Sequence, residues 1–175
     1  MTQAASTTTV NKEKTHVQGP TPCLVFADRA EEAVNFYVSL FDNSRVVSMV
    51  RSDGQGPMRE GTLMHAVFEL DGREYTAFDG GPSFSFTDGI SLAVTCDTQE
   101  EIDRLWARLT ADGGEEGPCG WLKDRFGLSW QVVPAALGAM LSDSAHGNTG
   151  KAMEAMLKMK KLDIATLRQA YGSGS

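Results

Sequence analysis

The sequence predicts an α+β protein made of two tandem βαβββ units with a C-terminal helical extension. Three observations predict it. A strand-then-helix pattern occurs twice at a constant offset, further strand candidates follow each helix, and apolar residues at helical spacing resume beyond Pro134. Self-similarity at a fixed period decides the architecture before any single element does. Asp28, Glu31, Glu32, Ala33, Phe36, Tyr37 and Leu40 recur as Asp97, Glu100, Glu101, Ile102, Leu105, Trp106 and Leu109, all at the offset 97 − 28 = 69 positions.

Residues 1–19 are rich in Thr, Ser, Gln and Lys without period and read as a disordered arm, because they bury too little apolar surface to offset their ordering entropy. Cys23–Ala27 is the first strand. The helix that follows places Ala33, Phe36, Tyr37 and Leu40 at i, i+3, i+4 and i+7, and Asp28 with Glu31 reads as its capping box. Arg45–Arg51, Leu63–Leu70 and Glu74–Asp79 are the next three strands. Asp71-Gly72 between the last two is a two-residue hairpin turn that pairs Ala66 with Ala77 and sets His65 beside Phe78 on the opposite face. The second unit begins with Ile90–Cys96 and a helix capped by Asp97, ended by Gly113-Gly114. Cys119–Lys123 and Leu128–Val133 form its hairpin across Asp124-Arg125-Phe126-Gly127. The units span 20–82 and 88–134 within one domain, 20–134. Over 148–171 a helix puts Met153, Met156 and Leu157 on one face, and Asp163 caps a second helix carrying Ile164, Leu167 and Tyr171. Residues 172–175 read as a flexible tail.

Composition narrows the function classes. Sixteen basic against 23 acidic residues give a net charge of −7, and the basic residues are scattered, which argues against a nucleic-acid partner. Three cysteines, Cys23, Cys96 and Cys119, form no C-x-x-C pair and fit a reducing cytoplasm. No apolar run reaches the roughly 20 residues of a membrane span, and the first residues lack a secretory core. A cytoplasmic protein is expected, with neither nucleic acid nor membrane as partner.

Two βαβββ units with duplicated Asp-x-x-Glu-Glu helices resemble the vicinal oxygen chelate superfamily of glyoxalases, extradiol dioxygenases and fosfomycin-resistance proteins. Ala30–Tyr37, Phe68–Gly72, Gly80–Pro82, Cys119–Asp124 and Ser129–Pro134 are most similar to its PhnB-like branch, often labelled 3-demethylubiquinone-9 3-methyltransferase. Met153–Leu157 and Met159–Lys161 extend the likeness into the tail. The resemblance implies that the two halves form a glyoxalase-like cup whose usual content is one divalent metal on His or Glu ligands. The corresponding positions here are Pro22 or Cys23, one of Thr76, Ala77 and Phe78, then Ser91, then Gln131, and none is His or Glu. Transition metals favour imidazole and carboxylate over hydroxyl and amide oxygen, so no metal and no other cofactor is expected. Asp79, His65 and Cys23 are the alternative donor set.

The residues expected to bind ligand are Cys23, His65, Phe78, Asp79, Ser91, Trp121 and Gln131. Strand alternation turns Trp130 away from Gln131, and Trp121 reaches the cup only through a bulge. Cys23 and Cys119 are candidate nucleophiles if a cation lowers their pKa, with a small buried residue as the ordinary alternative. Phe84 and Phe86 either close over a ligand or pack the seam between units. The methyltransferase label lacks local support, since the strand-to-helix turns Asp28-Arg29-Ala30 and Asp97-Thr98-Gln99 contain no glycine. The leading expectation is a protein that holds a small organic molecule in its cup without metal, whether as binder or enzyme. The alternatives are a metal-dependent lyase, dioxygenase or resistance-type enzyme, a ubiquinone-pathway methyltransferase by label alone, and an interaction module that forms a homodimer through the methionine-rich tail.

Overall fold

The computed structural model describes residues 19–173, so the arm expected over 1–19 lies outside the described residues except for Gly19, as do Gly174 and Ser175. The first unit runs β1 (Cys23–Phe26), α1 (Ala30–Val38), β2 (Arg45–Arg51), β3 (Leu63–Leu70) and β4 (Arg73–Asp79). Its sheet has the order β1-β4-β3-β2, with β1 parallel to β4 and the other pairs antiparallel. The second unit repeats the plan: β5 (Ser91–Cys96), α2 (Gln99–Leu109), β6 (Glu115–Glu116), β7 (Trp121–Lys123) and β8 (Ser129–Pro134), in the order β5-β8-β7-β6.

The Asp71-Gly72 turn forms as expected. Both residues have positive φ, 48° and 72°, the backbone a tight hairpin requires, and Ala66 pairs with Ala77. The helix caps differ from the expectation. At α1 the cap position is Arg29, held at φ 68° with no capping side chain of its own, and the carboxylate that accepts from Ala30 N at 2.8 Å belongs to Asp79 at the end of β4. Asp79 also accepts from Leu63 N at 3.2 Å, so one side chain ties β4 to both α1 and β3. At α2 the cap is Thr98 rather than Asp97. Its side chain accepts from Glu101 N, and Glu101 accepts in return from Thr98 N and Asp97 N.

One hydrophobic core spans both units. Ala33 and Tyr37 of α1, Leu40 just beyond it, and their repeat partners Ile102, Trp106 and Leu109 of α2 are all buried in it, with Phe68 of β3 and Trp130 of β8. Each large aliphatic side chain so buried contributes roughly 1.5–3 kcal/mol relative to exposure. The units meet through this side. Trp130 contacts Tyr37 and Phe41 at ring distances of 5.4 and 6.3 Å, and Arg104 and Arg108 of α2 donate to the Leu40 and Ser39 carbonyls at the end of α1.

The extension holds three helices where two were expected: α3 (Leu137–Ser142), α4 (Thr149–Leu157) and α5 (Ile164–Gly172). Asn148 and Asp163 cap α4 and α5 by accepting from Lys151 N and Thr166 N. The inward residues of α4 are Ala152, Ala155 and Met156, while Met153 and Leu157 stay exposed, so the expected single-faced stripe divides. Gly172, expected in the flexible tail, ends α5. Among the described residues no helix is long and apolar enough to cross a membrane.

Candidate functional site

Each sheet has a second face, turned away from the shared core, and six of the seven expected ligand residues stand on these faces. In the first sheet Cys23 pairs with Thr76 and Val25 with Phe78. Ala66 pairs with Ala77, which places His65 beside Phe78 on that same face, and Val50 pairs with His65. Leu24, Ala66 and Ala77 point the other way into the core. The resulting surface is mixed and open: Val25, Val50 and Val67 stand among Ser48, Thr76 and Glu69, Val50 is 52% exposed, and Cys23 and His65 are exposed rather than buried as the ordinary reading of such residues would have it.

In the second sheet Ala93 and Trp121 both pair with Gln131, so Trp121 shares the Gln131 face in a regular antiparallel register. No bulge is needed, contrary to the expectation from sequence. Gln131 donates from Nε2 to Ser91 Oγ at 2.8 Å, which leaves its carbonyl oxygen as an acceptor on the open face. Trp121 is half-buried beside a cleft of about 410 Å³ whose wall includes Pro118, Lys123 and Ser129. Lys123 is held by Asp88 at 2.8 Å, which raises its pKa.

The seventh residue, Asp79, lies on the core side of β4 beside Phe26 and spends both oxygens on the amides of Ala30 and Leu63. It frames the site and does not face it. The alternative donor set of Asp79, His65 and Cys23 is therefore not assembled. Among the described residues no three His, Cys, Asp or Glu side chains gather where a metal ion could be held. A thiolate at Cys23 is a good metal ligand, but the hydroxyls of Thr76 and Ser91 and the amide of Gln131 are poor ones for a divalent transition metal, so these positions supply one strong donor where a site needs three or four. A methyl-donor nucleotide does not fit either. Both strand-to-helix turns lack glycine, and the amides of Ala30 at α1 and of Asp97, Thr98 and Glu101 at α2 already donate to side chains of the protein itself.

Trp130 turns into the core as expected, and its indole leads to a residue the sequence reading treated only as part of a turn. Asp124 is 3% exposed. It accepts from Tyr37 Oη at 2.7 Å, Trp130 Nε1 at 2.8 Å, Phe126 N at 2.9 Å and Leu128 N at 3.1 Å. Burial, then the Asp124 carboxylate, pushes the Tyr37 hydroxyl pKa well up. The network clamps α1 of one unit to the β7–β8 hairpin of the other. Its signal in the sequence was the Asp-x-x-Gly turn followed closely by a tryptophan.

Of the candidate nucleophiles, Cys119 is half-buried in a left-handed turn at φ 56°, and the cations nearest it in sequence, Lys123 and Arg125, are engaged by Asp88 and Asp112. Phe86 packs edge-on against Phe26 at 5.1 Å, which is seam packing, whereas Phe84 is 45% exposed over Gly80.

The family model described as 3-demethylubiquinone-9 3-methyltransferase matches residues 18–133. Among solved structures, a putative 3-demethylubiquinone-9 3-methyltransferase, PhnB protein, from Bacillus cereus is 44% identical with a TM-score of 0.62, over 67% of this chain and 100% of that one. Protein PA1353 from Pseudomonas aeruginosa is 23% identical with a TM-score of 0.55, over 67% of this chain and 98% of that one, a likeness of fold. No curated protein matches the chain. With two βαβββ units in place, the model match and the Bacillus relative make this chain a member of the 3-demethylubiquinone-9 3-methyltransferase-like family, in the PhnB-like branch of the vicinal oxygen chelate superfamily.

Proposed function

We propose that the protein binds a small, uncharged apolar or aromatic molecule between two sheet faces, one carrying Cys23, His65 and Phe78 and the other Ser91, Trp121 and Gln131, without a metal or other cofactor. The observation that carries this reading is the Gln131–Ser91 hydrogen bond. At the position where the superfamily places an anionic metal ligand, the chain has a neutral amide already engaged by a neutral hydroxyl. Such a pair orients an uncharged polar group of a ligand, while Trp121 on one face and Phe78 with Val25 on the other supply apolar contact.

The same reading has the cup completed by a second copy of the chain in the cytoplasm. Within one chain both faces turn away from the shared core, so closing one face of the first unit over one of the second requires two chains. Val50, 52% exposed on the face that His65 shares, with Val47 and Met64 at the two irregular positions of the β2–β3 ladder, provides apolar surface for such a homodimer. That strip also favours the second reading, an interaction module whose faces meet a partner and enclose no ligand. The tail offers a divided surface for the dimer contact, because Met156 and Met159 pack against their own chain and only Met153 and Leu157 stay exposed.

1-Naphthol tests the reading. Its binding quenches Trp121 fluorescence, identified by subtraction of the Trp121→Phe variant, and Gln131→Ala weakens it by about 5–10-fold, the share of one hydrogen bond. Light scattering of the same protein gives twice the chain mass. Binding that ignores Gln131, or a dimer that binds no apolar probe, returns the protein to the interaction-module reading.

A further inference from the structure

The C-terminal extension lies outside the segment that the family model matches, 18–133, and the Bacillus relative is spanned in full by 67% of this chain. What the extension does is visible in where α4 stops. Beyond Leu157 the chain runs along the turn that leads into β7, and its carbonyls accept from that turn: Met159 O from Cys119 N at 2.8 Å and Lys160 O from Gly120 N at 2.7 Å. Leu162 follows, with no exposed surface, against Gly120. A Cβ on Gly120 would lie 2.8 Å from Val132 O and 3.1 Å from Leu162 Cδ1, and φ there is +84°, so only glycine lets the segment sit this close. Gln99 of α2 fastens the other side, donating to Leu162 O at 3.1 Å and accepting from Ile164 N at 2.9 Å.

The secured turn is a strained one. Cys119 is a side-chain-bearing residue at φ 56°, a conformation that persists only when its surroundings hold it. The next residue after Gly120 is Trp121, on the face read above as the ligand site. We infer that residues 158–164 are a strap, with Leu162 and Gln99 as positioning residues, which fixes the Cys119-Gly120 turn and thereby sets the Trp121 indole for an apolar ligand. The part that concerns ligand rests on the proposed function. The part that concerns Trp121 does not.

The test uses the full chain labelled with 5-fluorotryptophan, which gives one fluorine resonance each for Trp106, Trp121 and Trp130. Leu162→Ala and, in case that variant loosens the whole extension, Gln99→Ala are compared with Met153→Ser on the exposed side of α4. The expected result is a shifted or broadened Trp121 resonance in both strap variants, unchanged Trp106 and Trp130, faster amide exchange at Cys119 and Gly120, and 1-naphthol affinity about 10-fold weaker for Leu162→Ala. Met153→Ser changes none of these. A Trp121 resonance that stays in place in both strap variants overturns the inference, even if 1-naphthol binds. If that resonance moves while 1-naphthol fails to bind the unmodified protein, the positioning role stands and the ligand reading falls.

Discussion

The two βαβββ units share a strand order and a helix pattern, yet they are stabilised in different ways. In the first, α1 is capped from a distance by Asp79, and its strands are long, seven residues in β2 and eight in β3, with an open face that carries His65 and Val50. In the second, α2 is capped locally by Thr98 and Glu101, β6 and β7 have two and three residues, and the extension supplies the support that short strands lack. A duplicated pattern therefore conserves topology without conserving the interactions that hold it. In the first unit the last strand secures the start of its own helix, although the end of that helix is held by Arg104 and Arg108 of the second. The second depends on its neighbours, α1 on one side and the strap on the other.

The sharpest way to break this comparison is at Asp124, where the units are joined. Asp124→Ala leaves the Tyr37 hydroxyl, the Trp130 indole and two amides without their acceptor, and should cost on the order of 3–5 kcal/mol in denaturant unfolding, affecting both units together. Unfolding in two separated steps, with one unit unaffected, would show that the units do not share a core.

Alkaline pH gives the next largest effect. Burial pushes the Cys96 thiol, at the end of β5, up to about 11 from 9.0. A raised native pKa means the contribution is intact below the unfolded value and is lost as pH rises through the native one. Stability should therefore fall between about pH 9 and 11, by roughly 2–3 kcal/mol from this group, and Tyr37, shifted in the same direction, extends the loss upward. Cys96→Ala should flatten the slope in that window, and an unchanged slope would reassign the effect. In the folded protein, a maleimide reagent should modify exposed Cys23 well before Cys96.

The caps sharpen the comparison at smaller scale. Asp79→Ala should cost about 1–2 kcal/mol and speed amide exchange at both Ala30 and Leu63, whereas Thr98→Ala should cost about 1 kcal/mol and disturb only the start of α2. Equal and strictly local effects would mean that Asp79 is an ordinary cap.

Much of this was legible in the sequence, and the failures share a cause. Alternation and the Asp71-Gly72 turn place Ala66 opposite Ala77, because register follows from local backbone chemistry. Periodicity likewise places Ala33, Tyr37 and Leu40 and all four positions of α2 in the core, but it includes Phe36, which is only half-buried, and passes over Ala30 and Val34, which are fully buried. The α1 cap is not legible locally, because its carboxylate comes from about 50 residues away and no local pattern announces a distant donor or acceptor. Asp124 was passed over for the same reason: its turn is local, but Tyr37 reaches it across 87 positions. The six-residue α3 has Leu137, Met140 and Leu141 at helical spacing, too short a signal to stand out from a Gly- and Ser-containing stretch. At the site, the facing of His65 followed from the turn, whereas Trp121 required the register of β7 against β8, which a turn of unknown geometry left open.

The central claim is that the faces carrying Gln131 and His65 hold an uncharged organic molecule where the superfamily places a cation. Equilibrium dialysis of the purified protein against zinc, manganese, nickel and iron(II), followed by elemental analysis, addresses it most directly. Far less than one equivalent of each metal should be retained, with no change on Gln131→Ala. One tightly held equivalent, lost in that variant, would contradict it.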